Sequence, residues 1–143
     1  SLFSFGGPQA GYATPAPSAA PQPELTEEYL ESLLPVVPEG FEVEESDFYV
    51  NSEGGVYGFA EFTENDNFII FSAEKAPNKD NSLFEKDLRQ VLSLSLSGVD
   101  FYIFENNDLI MAAWQTGGLE CGIFSNLEKD TLISIIINSY GEE

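Results

Sequence analysis

The spacing of apolar residues changes twice along the chain. Over residues 25–34 they recur at Leu25, Tyr29 and Leu33, with Leu30 and Leu34 beside them. That i, i+4, i+8 spacing puts one apolar stripe on a helix. Thr26 or Glu24 starts it, and Glu27 and Glu28 fall at the positive end of the helix dipole. Pro35 and Pro38 end it, and Pro38-Glu39-Gly40 reads as a turn. Beyond it the spacing shortens to that of strands, predicted over 41–49, 56–62, 68–73, 91–96, 99–104, 109–114 and 119–124. The first alternates only at its start, with Phe41, Val43 and Glu45 opposite Glu42 and Glu44. Short stretches rich in Asn, Asp, Glu and Gly separate most of the strands: 51–55, 63–67, 105–108 and 115–118. Residues 76–82 read as a loop, and 83–90 as a short helix with Leu83, Phe84, Leu88 and Val91 on its apolar side. The helical spacing returns at the end, where Leu132, Ile133, Ile136, Ile137 and Tyr140 form a stripe. Ser125 and Glu128 have capping-box spacing, and Gly141 stops the helix.

Hairpins this tight are antiparallel. The expected fold is α+β: a curved antiparallel sheet of six or seven strands with an N-terminal and a C-terminal helix packed on it. Residues 101–104 and 109–113 are apolar on both sides of the strand, so either both sheet faces are covered or one is a binding surface. Residues 62–70 echo 104–111, an aromatic strand end, an acidic Asn-rich turn and an apolar restart, and turn chemistry accounts for most of the likeness.

Residues 1–23 have no such period. Pro15, Pro17, Pro21 and Pro23 and the Ala, Ser and Gln between them read as a semi-extended linker to a single domain over 24–143. Leu2, Phe3 and Phe5 are unusual for a linker; they either dock on a folded surface or end something upstream. No apolar run approaches the ~20 residues that span a bilayer, and no signal peptide is visible. The expected chain is soluble, either whole or a piece of something longer.

Charge narrows the choice of partner. There are 25 acids against 5 bases and no histidine, a formal net charge of -20. No base precedes Lys75, while acids are dense over 24–66. Such a field repels nucleic-acid phosphates and anionic membranes and favours cations or basic surfaces; it also serves plain solubility.

Candidate chemistry is sparse. The absence of histidine removes Ser-His-Asp and Cys-His hydrolases and zinc sites that need histidine. One cysteine removes thiolate-cluster metal sites and any intrachain disulfide. Cys121 reads as a small buried residue with a raised pKa rather than a nucleophile. No glycine-rich phosphate loop leads from a strand into a helix. Paired carboxylates remain as the one route to a small hydrolase. Glu64, Asp66 and Asn67, or Glu105, Asn106 and Asp108, offer oxygens to calcium, yet so short a turn lacks the loop spacing that calcium needs, and Asn and Asp suit turns anyway. No catalytic, metal or cofactor residue is therefore assigned. Trp114, before a Gly-rich turn, is either core or part of a ligand-facing surface with Tyr57, Phe59 and Tyr102.

Two blocks carry a family likeness. Leu34-Pro35-Val36-Val37-Pro38-Glu39-Gly40 leads into Phe41-Glu42-Val43. Later, Gly98-Val99 starts a strand, Leu109-Ile110-Met111-Ala112-Ala113-Trp114 precedes a Gly turn, and Asn126-Leu127-Glu128-Lys129-Asp130-Thr131-Leu132 opens the helix. Over about 34–140 the chain resembles a bacterial domain of unknown function found at the extracytoplasmic end of anti-sigma-factor-like and other membrane-anchored proteins, mostly of Firmicutes. Residues 76–96 depart from it, and no catalytic residues carry over. The resemblance implies a non-catalytic sensory or binding domain outside the membrane, which suits a tether. The alternatives are a cell-surface interaction domain with an acidic face for a basic partner, and a carboxylate hydrolase.

Overall fold

Asn and Gly set the hairpins. The computed structural model describes residues 24–75 and 89–141; the expected linker 1–23, with Leu2, Phe3 and Phe5, and the expected loop and helix from 76 to 88 lie outside the described residues. Strands β1 (Glu42–Val50), β2 (Val56–Glu64) and β3 (Asn67–Lys75) form one meander. Strands β4 (Arg89–Leu96), β5 (Val99–Asn106), β6 (Leu109–Thr116) and β7 (Leu119–Ser125) form another. Helix α1 (Glu27–Ser32) precedes them and α2 (Lys129–Tyr140) follows. Two-residue turns close four of the hairpins. Asn65 and Asn107 take left-handed φ angles of 56° and 52° at the first turn position, and Gly117 and Gly118 take 59° and 83°. Such angles suit the right-handed twist of the flanking strands.

All seven strands join one antiparallel sheet in the order β1-β2-β3-β7-β6-β5-β4. The two meanders meet at β3 and β7, where Ile69 pairs with Ser125 and Phe71 with Ile123. One face carries both helices and the main core. Phe71, Ile69, Phe101, Ile103, Ile123 and Leu119 project from the strands to meet Leu30 of α1 and Leu132 and Ile136 of α2, all fully buried. Each such side chain contributes roughly 1.5–3 kcal/mol by leaving water.

The helix ends are tied to each other. The Tyr140 hydroxyl donates to the Leu33 carbonyl at 2.7 Å, and the Val36 amide donates to Ser139 Oγ at 2.7 Å. The ring of Tyr140 lies against Trp114 and Phe101, at centroid distances of 5.0 and 5.7 Å, and these two rings are 4.9 Å apart. One aromatic cluster thus joins α2, β5 and β6.

Several expected details are corrected. Helix α1 is shorter than 25–34; the Thr26 hydroxyl accepts the Tyr29 amide and fixes its start. Ser125 does not cap α2. It is fully buried at the end of β7, its hydroxyl donates to the Phe68 carbonyl and accepts the Leu127 amide, and α2 starts after Glu128 without a side-chain cap. The buried stripe of α2 is Leu132, Ile135 and Ile136, with Tyr140 in the aromatic cluster; Ile137 is 46% exposed. The Trp114–Tyr140 contact orients the helix, and positions 133 and 137 lie about 100° off that line. Residues 89 and 90 are strand, not helix, because they pair with Glu105 and Phe104. A bulge between Val43 and Glu45 shifts the phase of β1, leaving Val43 59% exposed and turning Phe48 and Val50 toward the core.

Candidate functional site: the second face of the sheet

Strand residues that alternate with the core positions form the other face, and among the described residues no helix lies on it. The register aligns them in rows across the strands. One row runs Tyr49, Tyr57, Glu74, Glu120, Gln115. The next runs Asp47, Phe59, Ser72, Gly122, Ala113, Tyr102. The third runs Glu45, Glu61, Ile70, Phe124, Met111, Phe104.

The face is apolar in the middle and aromatic on its flanks. Phe104, Met111 and Ala113 are buried as a second small cluster, with Phe124 packed on it and Phe68 6.1 Å from the Phe124 ring. The Tyr57 and Phe59 rings stack at 6.4 Å, and Tyr49 lies 5.7 Å from Tyr57. Tyr102 is 38% exposed on the far side of the small residues Gly122 and Ala113. Of the four aromatics named from the sequence, three are therefore on this face: Tyr57 and Phe59 are adjacent, and Tyr102 stands across the row. Trp114 is not among them; it points to the core face and is 3% exposed. Strand parity separates it from Tyr102, since Trp114 pairs with the core residue Cys121 and Tyr102 with Ala113. Tyr49 was missed because the β1 bulge hides the alternation that would have placed it beside Tyr57.

The face is acidic as well. Glu42, Glu45, Asp47, Glu61, Glu74, Glu120 and Asp100 fall on it by register. Of the described bases, Lys75 and Arg89 are in register with core-face positions, and Lys129 opens α2. Glu120 is only 6% exposed, and burial, helped by the charge of Glu74, pushes its carboxyl above the usual range. On the core side, burial and then the charge of Glu120 push the Cys121 thiol up to about 12. Burial also raises the Tyr140 phenol, with Cys121 adding to it.

A thiol held neutral and fully buried does not react. In native protein at pH ~8, where a free thiol is partly ionised, Cys121 is expected to be inert to a disulfide reagent and to react fully in denaturant. Stoichiometric labelling of the native domain within minutes would contradict this placement.

At the opposite end of the core, the β5–β6 turn and the start of α2 enclose a cleft of about 400 Å³ lined by Glu105, Asn107, Asp108, Asn126, Glu128 and Lys129 among others. Asn126 is already engaged: it accepts the Phe68 amide and donates to the Asp66 carbonyl, both at 3.0 Å. Among the described residues no three carboxylates or thiols converge as a metal ion requires. In both acidic turns the Asn supplies the left-handed backbone that closes the hairpin. Among the described residues no helix is long and apolar enough to cross a membrane.

These features define an α+β domain built on a single seven-stranded antiparallel sheet, with both helices on one face and an aromatic, acidic second face. The chain belongs to the family described as domain of unknown function DUF4367, whose profile matches residues 33–138. The match covers nearly the stretch over which the sequence resembled such a domain. No curated protein and no solved structure matches the chain.

Proposed function

We propose that the domain is a non-catalytic binding or sensory module, the extracytoplasmic part of a membrane-anchored regulator, and that a basic segment of a partner protein docks on the second face of its sheet. The observation that carries this reading is the composition of that face: exposed or half-buried aromatics around an apolar centre, seven acids and no described base. Aromatic anchors ringed by charge of one sign are the usual make-up of a surface that recognises an oppositely charged protein. The family resemblance supports the extracytoplasmic setting, and the Pro/Ala-rich 1–23 stretch fits a spacer from an anchor. A cell-surface interaction domain would use the same face.

The partner can be sought in envelope extract. Capture by the wild-type chain is expected to fall several-fold between about 20 mM and 150 mM salt, as screening shortens the reach of the charges. A Tyr57→Ser/Tyr102→Ser variant is expected to lose the captured protein. Capture indifferent to both salt and these substitutions would refute the reading. So would a full-length gene lacking any membrane anchor, lipoprotein or secretion signal.

A further inference from the structure

The second face is not evenly open. Phe104 and Met111 are only 9% and 7% exposed, and Ala113, Gly122 and Glu120 are buried with them. On a bare sheet face, neighbours shield the flanks of a side chain and leave its tip in water. Yet among the described residues no element lies over these five. Tyr49 and Tyr102, at 44% and 38%, show how open the rest of the face is. By register the buried five form a diagonal: Glu120 and Gly122 on β7, Ala113 and Met111 on β6, Phe104 on β5.

The ends of β3 and β4 lie at the two ends of that diagonal. Lys75, the last residue of β3, is level with Leu119. Arg89, the first of β4, is level with Glu105, Ile110 and Ser125. Three antiparallel strands separate β3 from β4, so these two run parallel. Their connection therefore returns the length of the sheet while moving across it. The thirteen residues 76–88 span up to about 45 Å when extended, ample for a diagonal of about 28 Å.

Handedness says which face that connection takes. The Phe68 amide and carbonyl both point to the β7 side, where Asn126 and Ser125 meet them. The Phe68 side chain is on the second face, one residue from the core residue Ile69. In an L-residue whose side chain faces the viewer and whose strand rises, the backbone groups point right. Seen from the second face with β3 rising, β7, β6, β5 and β4 thus lie to the right. A connection passing in front and stepping right is a right-handed crossover, the hand that about 98% of such connections take. Passage over the core face would be left-handed, and α1 and α2 already fill it.

We propose that residues 76–88 lie across the β5–β7 half of the second face, with Leu83, Phe84 and Leu88 set on Phe104, Met111 and Ala113. The partner's surface is thereby confined to the β1–β2 half, around Tyr49, Tyr57 and Phe59. The crossover stands on topology and burial alone; the confinement rests on the reading of this face as a docking surface. The segment also brings Lys79 and Lys86 to an acidic face.

Met111 is the chain's single methionine, so a labelled methionine methyl reports on this site alone. In NMR of the full 143-residue chain, that methyl is expected to show nuclear Overhauser contacts to Leu83, Phe84 or Leu88, and its resonance is expected to shift in Phe84→Ala. Contacts only to sheet neighbours such as Phe104 and Phe124 would overturn the crossover. So would contacts to Leu2, Phe3 or Phe5, which would make the N-terminal stretch the cover. A lysine octapeptide then probes the docking reading. It is expected to shift the amides of Tyr49, Tyr57 and Phe59 in a saturable way and to leave the Met111 methyl in place. Displacement of the Met111 contacts by the peptide would overturn the confinement. If those contacts are present and no amide of β1 or β2 shifts, the docking reading falls and the crossover stands.

Discussion

Trp114→Ala is expected to destabilise the domain by about 3–5 kcal/mol, the usual range for emptying a large aromatic site in a core. The side chain is 3% exposed and lies within 5 Å, centroid to centroid, of both Phe101 and Tyr140. Its removal opens a cavity at the one point where α2, β5 and β6 meet through their rings. It also loosens Tyr140, whose hydroxyl holds the Leu33 carbonyl after α1. Against a typical net stability of about 5–15 kcal/mol, such a loss removes much of the margin. Urea unfolding followed by circular dichroism measures it, since this is the chain's sole tryptophan and its fluorescence is lost with it. Tyr102→Ala makes the internal comparison. Its ring stands 38% exposed on the second face, and its loss is expected to cost under about 1 kcal/mol. Equal costs at the two positions would show that the two faces have been assigned the wrong way round.

The second large effect is expected where the two meanders are joined at one end. Both backbone groups of Phe68 are held by side chains from the β7–α2 junction: Ser125 Oγ donates to its carbonyl at 2.7 Å, and Asn126 Oδ1 accepts its amide at 3.0 Å. Asn126 also donates to the carbonyl of Asp66 in the β2–β3 turn. Ser125→Ala and Asn126→Ala each orphan partly buried backbone groups, at about 1–3 kcal/mol apiece. Because both act on Phe68, the double variant is expected to cost less than the sum. Urea titration of the four proteins gives the coupling. Hydrogen exchange gives the location: the Phe68 amide is expected to exchange faster in Asn126→Ala, with the amides of the β5–β6 hairpin unaffected. Strict additivity, or uniform loss of protection, would show that these bonds do not act together at this corner.

Local chemistry made most elements legible. All seven strands begin and end within about two residues of their expected bounds, because each hairpin is set by its own turn. The acidic Asn turns, read from composition as either calcium ligands or turn formers, are placed by Asn65 and Asn107 in left-handed backbone at the hairpin tips. Boundaries failed where a distant partner intervened. Residues 89 and 90 had helical neighbours in sequence but a strand neighbour in space. Ser125 had capping-box spacing but spent its hydroxyl on Phe68, 57 residues earlier.

The aromatic surface was half legible for a related reason. Alternation shows that a strand has two faces and which residues share one. It does not say which face a helix will cover. Phe101–Phe104 and Leu109–Ala113 are apolar on both sides, so Trp114 and Tyr102 could not be sorted from their own strands. The sorting came from α2, whose Tyr140 meets Phe101 and Trp114, and from the β5–β6 register, which puts Tyr102 opposite Ala113.

By itself, then, the sequence determined an acidic α+β domain with a helix near each end, six or seven antiparallel strands and tight turns, because those follow from period, turn residues and charge over a few neighbours. Only the tertiary structure decided that β7 inserts between β3 and β6, which face of the sheet the helices cover, and that Glu74 and Glu120 are brought side by side on the other. Each depends on contacts between residues tens of positions apart. The free energy of those contacts comes from burying whole faces against one another, a quantity that no single stretch of the chain contains.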